Sequence, residues 1–153
     1  MRKERMNDRG FSLVELIIVI AIMAILIVVL APQYLKYVER SRNSTDLQNA
    51  VTMRTAVETY AADPQATKAF KDGESFEIKI EQTGGDVVSD VASGAAAEAL
   101  KEAGLTVTDI KCSSKTAWDE YSLKGAVQSD GTIKWTYTGD DFSNAMTGST
   151  SGT

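Results

Sequence analysis

From Phe11 to Ala31 the chain is an almost uninterrupted run of Leu, Ile, Val, Ala and Met, ended by Pro32. At a rise of about 1.5 Å per residue, a helix over this run is about 30 Å long, the thickness of a bilayer's hydrocarbon core. It is apolar on every side, so it must be covered all round, in lipid or among identical helices. A secretory signal peptide would carry a shorter apolar region followed by a small-residue cleavage site such as Ala-x-Ala. Ala31-Pro32-Gln33 offers no such site, so the run is expected to stay in the mature protein.

Glu15, one turn inside the run, breaks the pattern. An acidic side chain at the centre of a spanning helix costs about 2.5 to 3.5 kcal/mol, and less near its end. An anchor alone is better served by Leu, so the position predicts a cation that reaches Glu15 only in an assembled state. The ten residues before the run carry Arg2, Lys3, Arg5 and Arg9 against Glu4 and Asp8. That basic bias favours a cytoplasmic amino end, with the carboxyl-terminal part outside.

Gly10-Phe11-Ser12-Leu13-Val14-Glu15-Leu16, the apolar run and Pro32 resemble the class III signal and first helix of type IV pilins and pseudopilins. The resemblance covers about the first 35 residues after Gly10; beyond them it is architectural. It implies cleavage between Gly10 and Phe11 by a prepilin peptidase, N-methylation of the new Phe11 amine, and packing of the helix into a filament core. It also implies that Glu15 pairs with the Phe11 amine of a neighbouring subunit. An α-amine has an ordinary pKa near 8 and is mostly cationic at neutral pH, so cleavage itself creates the partner. An assembly ATPase and membrane platform proteins are further partners that the family implies. The expected route runs from a single-pass precursor in the cytoplasmic membrane to an extracellular pilus.

Pro32 lacks an amide donor and clashes with the carbonyl of Val28, so a helix kink or local opening is expected there. Many family members have a glycine eight residues earlier, where this chain has Ala24, a better helix former. Beyond Pro32 the pattern turns amphipathic. Ala50, Met53, Val57, Tyr60 and Ala61 recur at three- and four-residue spacing, which predicts a helix face packed on a sheet. Glu39, Arg40, Arg42, Asp46, Arg54 and Glu58 are assigned to its other faces, and Asn43-Ser44-Thr45-Asp46 to a weak polar stretch able to flex. Asp63-Pro64 ends the helix.

Phe76, Ile78 and Ile80 then alternate with Glu77, Lys79 and Glu81, as in a half-buried strand that Gly84-Gly85-Asp86 breaks. Residues 95 to 103 predict a short helix closed by Gly104. Leu105, Val107 and Asp109-Ile110 start another strand. A hairpin follows from Tyr121, turning at Ser129-Asp130-Gly131 into Ile133, Trp135 and Tyr137. Gly139 to Thr153 is polar and small, and reads as a flexible tail or surface loop. The expected fold is α+β and type IV pilin-like, a long amino-terminal helix on three or four antiparallel strands. Its segments are a leader at 1–10, an apolar transmembrane or filament-core helix at 11–31, an amphipathic continuation at 32–62, and a globular head at 63–153.

The net charge is -5, and the leader holds four cations and two anions, so its removal leaves -7 before the new amine is counted. That balance does not suit nucleic acid, which binds basic surfaces. The chain has no His, the commonest general base and a frequent metal ligand, and no phosphate loop or nucleophile context. Asp140-Asp141 is read as a solvated pair, and Trp118, Tyr121, Trp135 and Tyr137 as sheet core. No cofactor, metal or enzymatic activity is expected. Cys112 is alone, which rules out an intrachain disulfide; it is read as a buried small residue. Many pilins of Gram-negative bacteria close a carboxyl-terminal loop with a disulfide, so the resemblance here points to a Gram-positive relative whose final hairpin pairs into the sheet.

The function expected is that of a structural subunit of a type IV pilus supporting adhesion, motility or aggregation. The alternatives are a pseudopilin of a type II secretion or competence machine, or a minor pilin. A membrane-anchored enzyme or receptor would leave Glu15 unexplained.

Overall fold

The computed structural model describes residues 11–89 and 94–148. They form α1 (Leu13–Ala61), β1 (Ser75–Glu81), β2 (Gly84–Ser89), α2 (Ala95–Glu102), a 3-10 turn (Val107–Asp109), β3 (Glu120–Val127), β4 (Ile133–Thr138) and α3 (Asp140–Thr147). Two units are compact in themselves, one ending at Val38 and the other beginning at Glu39. In the first, every large apolar side chain from Phe11 to Leu30 is at least half exposed.

The second unit carries a four-stranded antiparallel sheet in the order β2-β1-β3-β4. Its arrangement is α+β, as the sequence predicts. Phe76, Ile78 and Ile80 are buried on one face of β1, and Tyr121, Leu123 and Val127 join them from β3. The stripe of α1 lies against this face, with Ala50, Met53 and Val57 fully buried and Tyr60 nearly so. Gly125 faces Phe76 across the β1–β3 pair, and a Cβ there would enter the Phe76 ring, so the ring takes the glycine's space.

α2 ends as Gly104 predicts. Gly104 has φ 74°, its N–H donates to Lys101 O at 3.0 Å, and Leu105 N–H donates to Leu100 O at 2.8 Å. This left-handed closure satisfies the last carbonyls and turns Leu105 back toward the core. The β3–β4 turn also falls at Ser129-Asp130-Gly131, where Gly131 has φ 81° and Asp130 accepts the N–H and hydroxyl of Thr132.

Four expectations need correction. β1 does end here, but the break falls at Gln82-Thr83, where the chain reverses, and Gly84-Gly85-Asp86 opens β2. Gly84 has φ 145° and lies so close to the Thr108 carbonyl that a side chain would not fit, which explains glycine inside a strand. Val107–Asp109 forms the 3-10 turn covering that glycine pair, not a strand. Asn43 to Asp46, expected to be a weak polar stretch, is an integral part of α1 with Asp46 buried.

The fourth correction concerns residues 140–147, assigned above to a flexible tail and found as α3. Phe142 is fully buried, stacked on Tyr121 at 4.4 Å and edge-on to Trp118 at 5.4 Å. One aromatic anchor is enough to order an otherwise polar segment. Asp140 and Asp141, read as a solvated loop pair, stand in its first turn, where the helix dipole favours anions. Residues 149–153 lie outside the described residues.

Candidate functional site

The amino-terminal site begins at Phe11, whose side chain is 82% exposed. Ser12 O accepts the Leu16 N–H at 3.1 Å, the first bond of the α1 ladder, so the helix starts at a residue type that favours helix starts. Glu15 lies in the first turn, exposed and four residues from Phe11. The first-turn amides and the dipole favour a carboxylate there. Gly10 lies outside the described residues. Pro32 lies inside α1, which continues on both sides of it. Among the described residues, α1 is long and apolar enough to cross a membrane, and its most apolar stretch has no cover inside the chain.

A second polar constellation, absent from the sequence reading, lies in the second unit. Asp46 is fully buried, and its carboxylate accepts Ser113 N–H at 2.8 Å, Ser114 N–H at 2.9 Å and the Trp118 indole N–H at 3.0 Å. The Cys112 thiol donates to the same carboxylate at 3.6 Å. Two turns earlier, Glu39 Oε1 accepts Lys115 N–H at 2.6 Å, Thr116 N–H at 2.8 Å and the Ser114 hydroxyl at 3.0 Å. Two carboxylates of α1 thus clasp the loop 112–118 that leads into β3. The Lys115 amide, helped by the Thr116 amide and the Ser114 hydroxyl, holds the Glu39 carboxyl down at about 2.

Burial, reinforced by the Asp46 charge, pushes the Cys112 thiol up to about 12. Thiolate is the nucleophilic form, so this cysteine is inert at neutral pH and serves as a small buried donor. Beyond the clasp, Glu58 accepts from Arg54 at 2.8 Å and from the Trp135 indole at 2.9 Å, tying β4 to α1. Glu39, Asp46 and Glu58 therefore do not belong to a purely solvent-facing set. The missed signal was spacing: positions 39, 43, 46, 50, 53, 57 and 60 form one continuous stripe, whose first three residues are polar.

Among the described residues, no group of three or more His, Cys, Asp or Glu is placed to hold a metal ion. What the two constellations offer chemically is charge pairing and loop closure. The apolar helix and its single early carboxylate are equipped for association.

Residues 5–31 match a family model described as the prokaryotic N-terminal methylation motif. The chain is 37% identical over 103 residues to the type IV major fimbrial protein FimA of Dichelobacter nodosus, covering 65% of this chain and 61% of that protein. It therefore spans less than two thirds of that relative's length. Over 84 residues it is 31% identical to the prepilin peptidase-dependent protein A of Clostridium perfringens, covering 55% of this chain and 56% of that protein. No solved structure matches it significantly. The broadest of these likenesses is to the fimbrial protein EcpC of Eikenella corrodens, 32% identical over 128 residues and covering 84% of this chain and 80% of that one. With the methylation motif at its start, a long apolar helix entering an α+β unit, and this extent of likeness, the chain belongs to the type IV pilin family.

Proposed function

We propose that this chain is a structural subunit of a type IV pilus. It waits in the cytoplasmic membrane as a single-pass precursor and, once processed, joins an extracellular filament supporting adhesion, motility or aggregation. The observation that carries the reading is the apolar amino-terminal half of α1, whose large side chains are all at least half exposed, with one carboxylate in its first turn. In this reading prepilin peptidase cuts between Gly10 and Phe11, and the new Phe11 amine is methylated. That amine then neutralises Glu15 of a neighbour as the helix passes from lipid into a homo-oligomeric core. Pro32 is the place where the helix opens to adjust its packing. An assembly ATPase and membrane platform proteins supply the work. The chain has no catalytic role.

The test is to shear surface material from the source cells and measure this protein's intact mass and amino terminus in sheared and membrane fractions. Abundant sheared protein beginning at methylated Phe11 is the expected result. A second reading, a pseudopilin, draws on the likeness to a prepilin peptidase-dependent protein. It predicts processed protein confined to the membrane. An intact Met1 to Gly10 leader in every fraction overturns both.

A further inference from the structure

The sheet has two edges, and they differ. At β2 the edge is closed. The 3-10 turn covers Gly84 and Gly85, and the outward Val87 N–H donates to the neighbouring Asp86 carboxylate at 2.8 Å. A strand arriving there meets a wall and a donor already used.

β4 carries no such guard among the described residues. Val127 directs both backbone groups toward the segment entering β1, its N–H to Glu74 O at 2.8 Å and its carbonyl to Gly73 N–H at 3.2 Å. Val127 stands opposite Ile133 in the β3–β4 register, so that pair exchanges no backbone bond, and strand alternation carries the same direction to Trp135 and Tyr137. The N–H and carbonyl groups of Ile133, Trp135 and Tyr137 therefore point away from the sheet, without a partner among the described residues. Ile-Lys-Trp-Thr-Tyr-Thr is a run of strong strand formers with one charge and no proline. Ile133, Trp135 and Tyr137 are half-buried on the face that α1 covers, while Lys134 and Thr136 are exposed on the other.

We infer that β4 pairs antiparallel with β4 of a second copy of this chain, and that the second copy belongs to another filament. The strand is complementary to itself. Centred on Trp135, the pairing sets Trp135 against its twin and Ile133 against Tyr137 on either side, all on one face. On the other face Lys134 lies opposite Thr136, so no like charges meet. The inference rests on the pilus-subunit reading and goes beyond it by naming a surface through which filaments aggregate. Symmetry decides which filament. Two antiparallel copies of one strand in a continuous sheet are related by a two-fold axis perpendicular to it. That axis reverses every direction in the sheet plane, including that of the part of α1 packed on its face. Subunits of one polar filament, or of one membrane, point the same way. The pairing therefore joins filaments that run in opposite directions, as those of two facing cells do. One such contact is small, and its repetition along two filaments makes the union strong.

The full chain tests this in cells. Thr136→Lys sets a lysine opposite Lys134 of the second copy, on the exposed face of β4. Bundles counted by electron microscopy should fall by about fivefold or more at unchanged filament yield, since like charges directly opposed destabilise a strand pair. Adding Lys134→Glu should restore them, because each opposed pair becomes Glu against Lys. Net charge alone predicts the reverse of the first result, as Thr136→Lys brings an acidic chain closer to neutrality. In parallel, filaments carrying Lys134→Cys from one strain are mixed with filaments carrying Thr136→Cys from another, and oxidised. Disulfide-linked dimers should form in the mixture and in neither strain alone. Parental filaments that do not bundle, bundling unchanged in Thr136→Lys, or a mixture without dimers overturns the edge pairing while the filaments stand. Cross-linking to a different protein instead gives the edge to that protein and overturns self-pairing. A parental chain that forms no filament overturns the pilus-subunit reading, and the edge pairing falls with it.

Discussion

Asp46 shows how a charged residue can be part of a core. Its carboxylate sits in the apolar stripe because the loop 112–118 presents two backbone amides and an indole to it, and these donors have no other acceptor in that clasp. Asp46→Ala removes the acceptor and leaves the donors buried, a loss of about 3 kcal/mol at this order of magnitude. The Ser113 and Ser114 amides should then exchange far faster with deuterium, and Trp118 emission should shift to the red. Unchanged exchange at both amides would sink the clasp. Glu39 adds a pH dependence whose sign is fixed. Its carboxyl lies at about 2 in the folded chain against an ordinary 4.5, so its contribution is complete above pH 4.5 and is lost as the pH falls toward 2. Other carboxylates held low, Glu81, Glu98 and Asp130, act in the same direction. The informative quantity is therefore the difference between the parent and Glu39→Gln in thermal midpoint: constant above pH 5 and shrinking below 4.5. These roles were not legible from residue type. A carboxylate's partners here are backbone amides 67 to 77 positions away, and backbone amides have no sequence signature.

At the scale of elements, legibility followed the periodicity of apolar residues. β1 could be read because its alternation is strict and one face is buried, and the lower part of α1 because Ala50, Met53, Val57 and Tyr60 keep one face. Segments without a period were misread. β2 begins with two glycines, and its strand state comes from pairing with β1, a nonlocal cause. α3 has a single buried side chain, so its helicity depends on what Phe142 meets: the Tyr121 ring at 4.4 Å, with Trp118 and Tyr137 edge-on. Such a short helix is not stable alone. In a chain without a disulfide, this aromatic plug closes the carboxyl-terminal end, a task the sequence reading gave to the final hairpin alone. Phe142→Ala should cost about 3 to 5 kcal/mol, a large part of an ordinary domain's stability. In detergent-solubilised full chain, circular dichroism melting should show a markedly lowered midpoint. Phe142→Leu, which keeps most of the volume, should fall in between, and equal midpoints for parent and Ala variant would contradict the plug.

For the whole molecule, the deciding quantity is the uncovered helix. Burying one Leu, Ile or Val side chain is worth about 1.5 to 3 kcal/mol. More than a dozen large apolar residues from Leu13 to Leu30 are at least half exposed, so the drive to cover them sums to tens of kcal/mol. Against that, one carboxylate near the helix end costs no more than about 3 kcal/mol in the membrane. Glu15 therefore cannot decide whether the helix leaves water; it can only bias which apolar surrounding the helix prefers. In lipid an ionised Glu15 is a burden that Leu would relieve. In the proposed filament it is matched by a neighbour's Phe11 amine, and Leu would leave that amine buried and unpaired, a loss of about 3 to 5 kcal/mol per contact. The two states respond oppositely to one substitution. Glu15→Leu should leave membrane accumulation of processed subunit equal or higher while sheared filaments fall by a hundredfold or more, the free-energy loss converted at about 1.4 kcal/mol per decade. Quantifying the subunit in membrane and sheared fractions of the same cells checks both arms at once. A parallel loss from both fractions would mean that Glu15 serves insertion or stability. Normal filaments would mean that the charge pair does not hold the assembly together, and the apolar cover alone does.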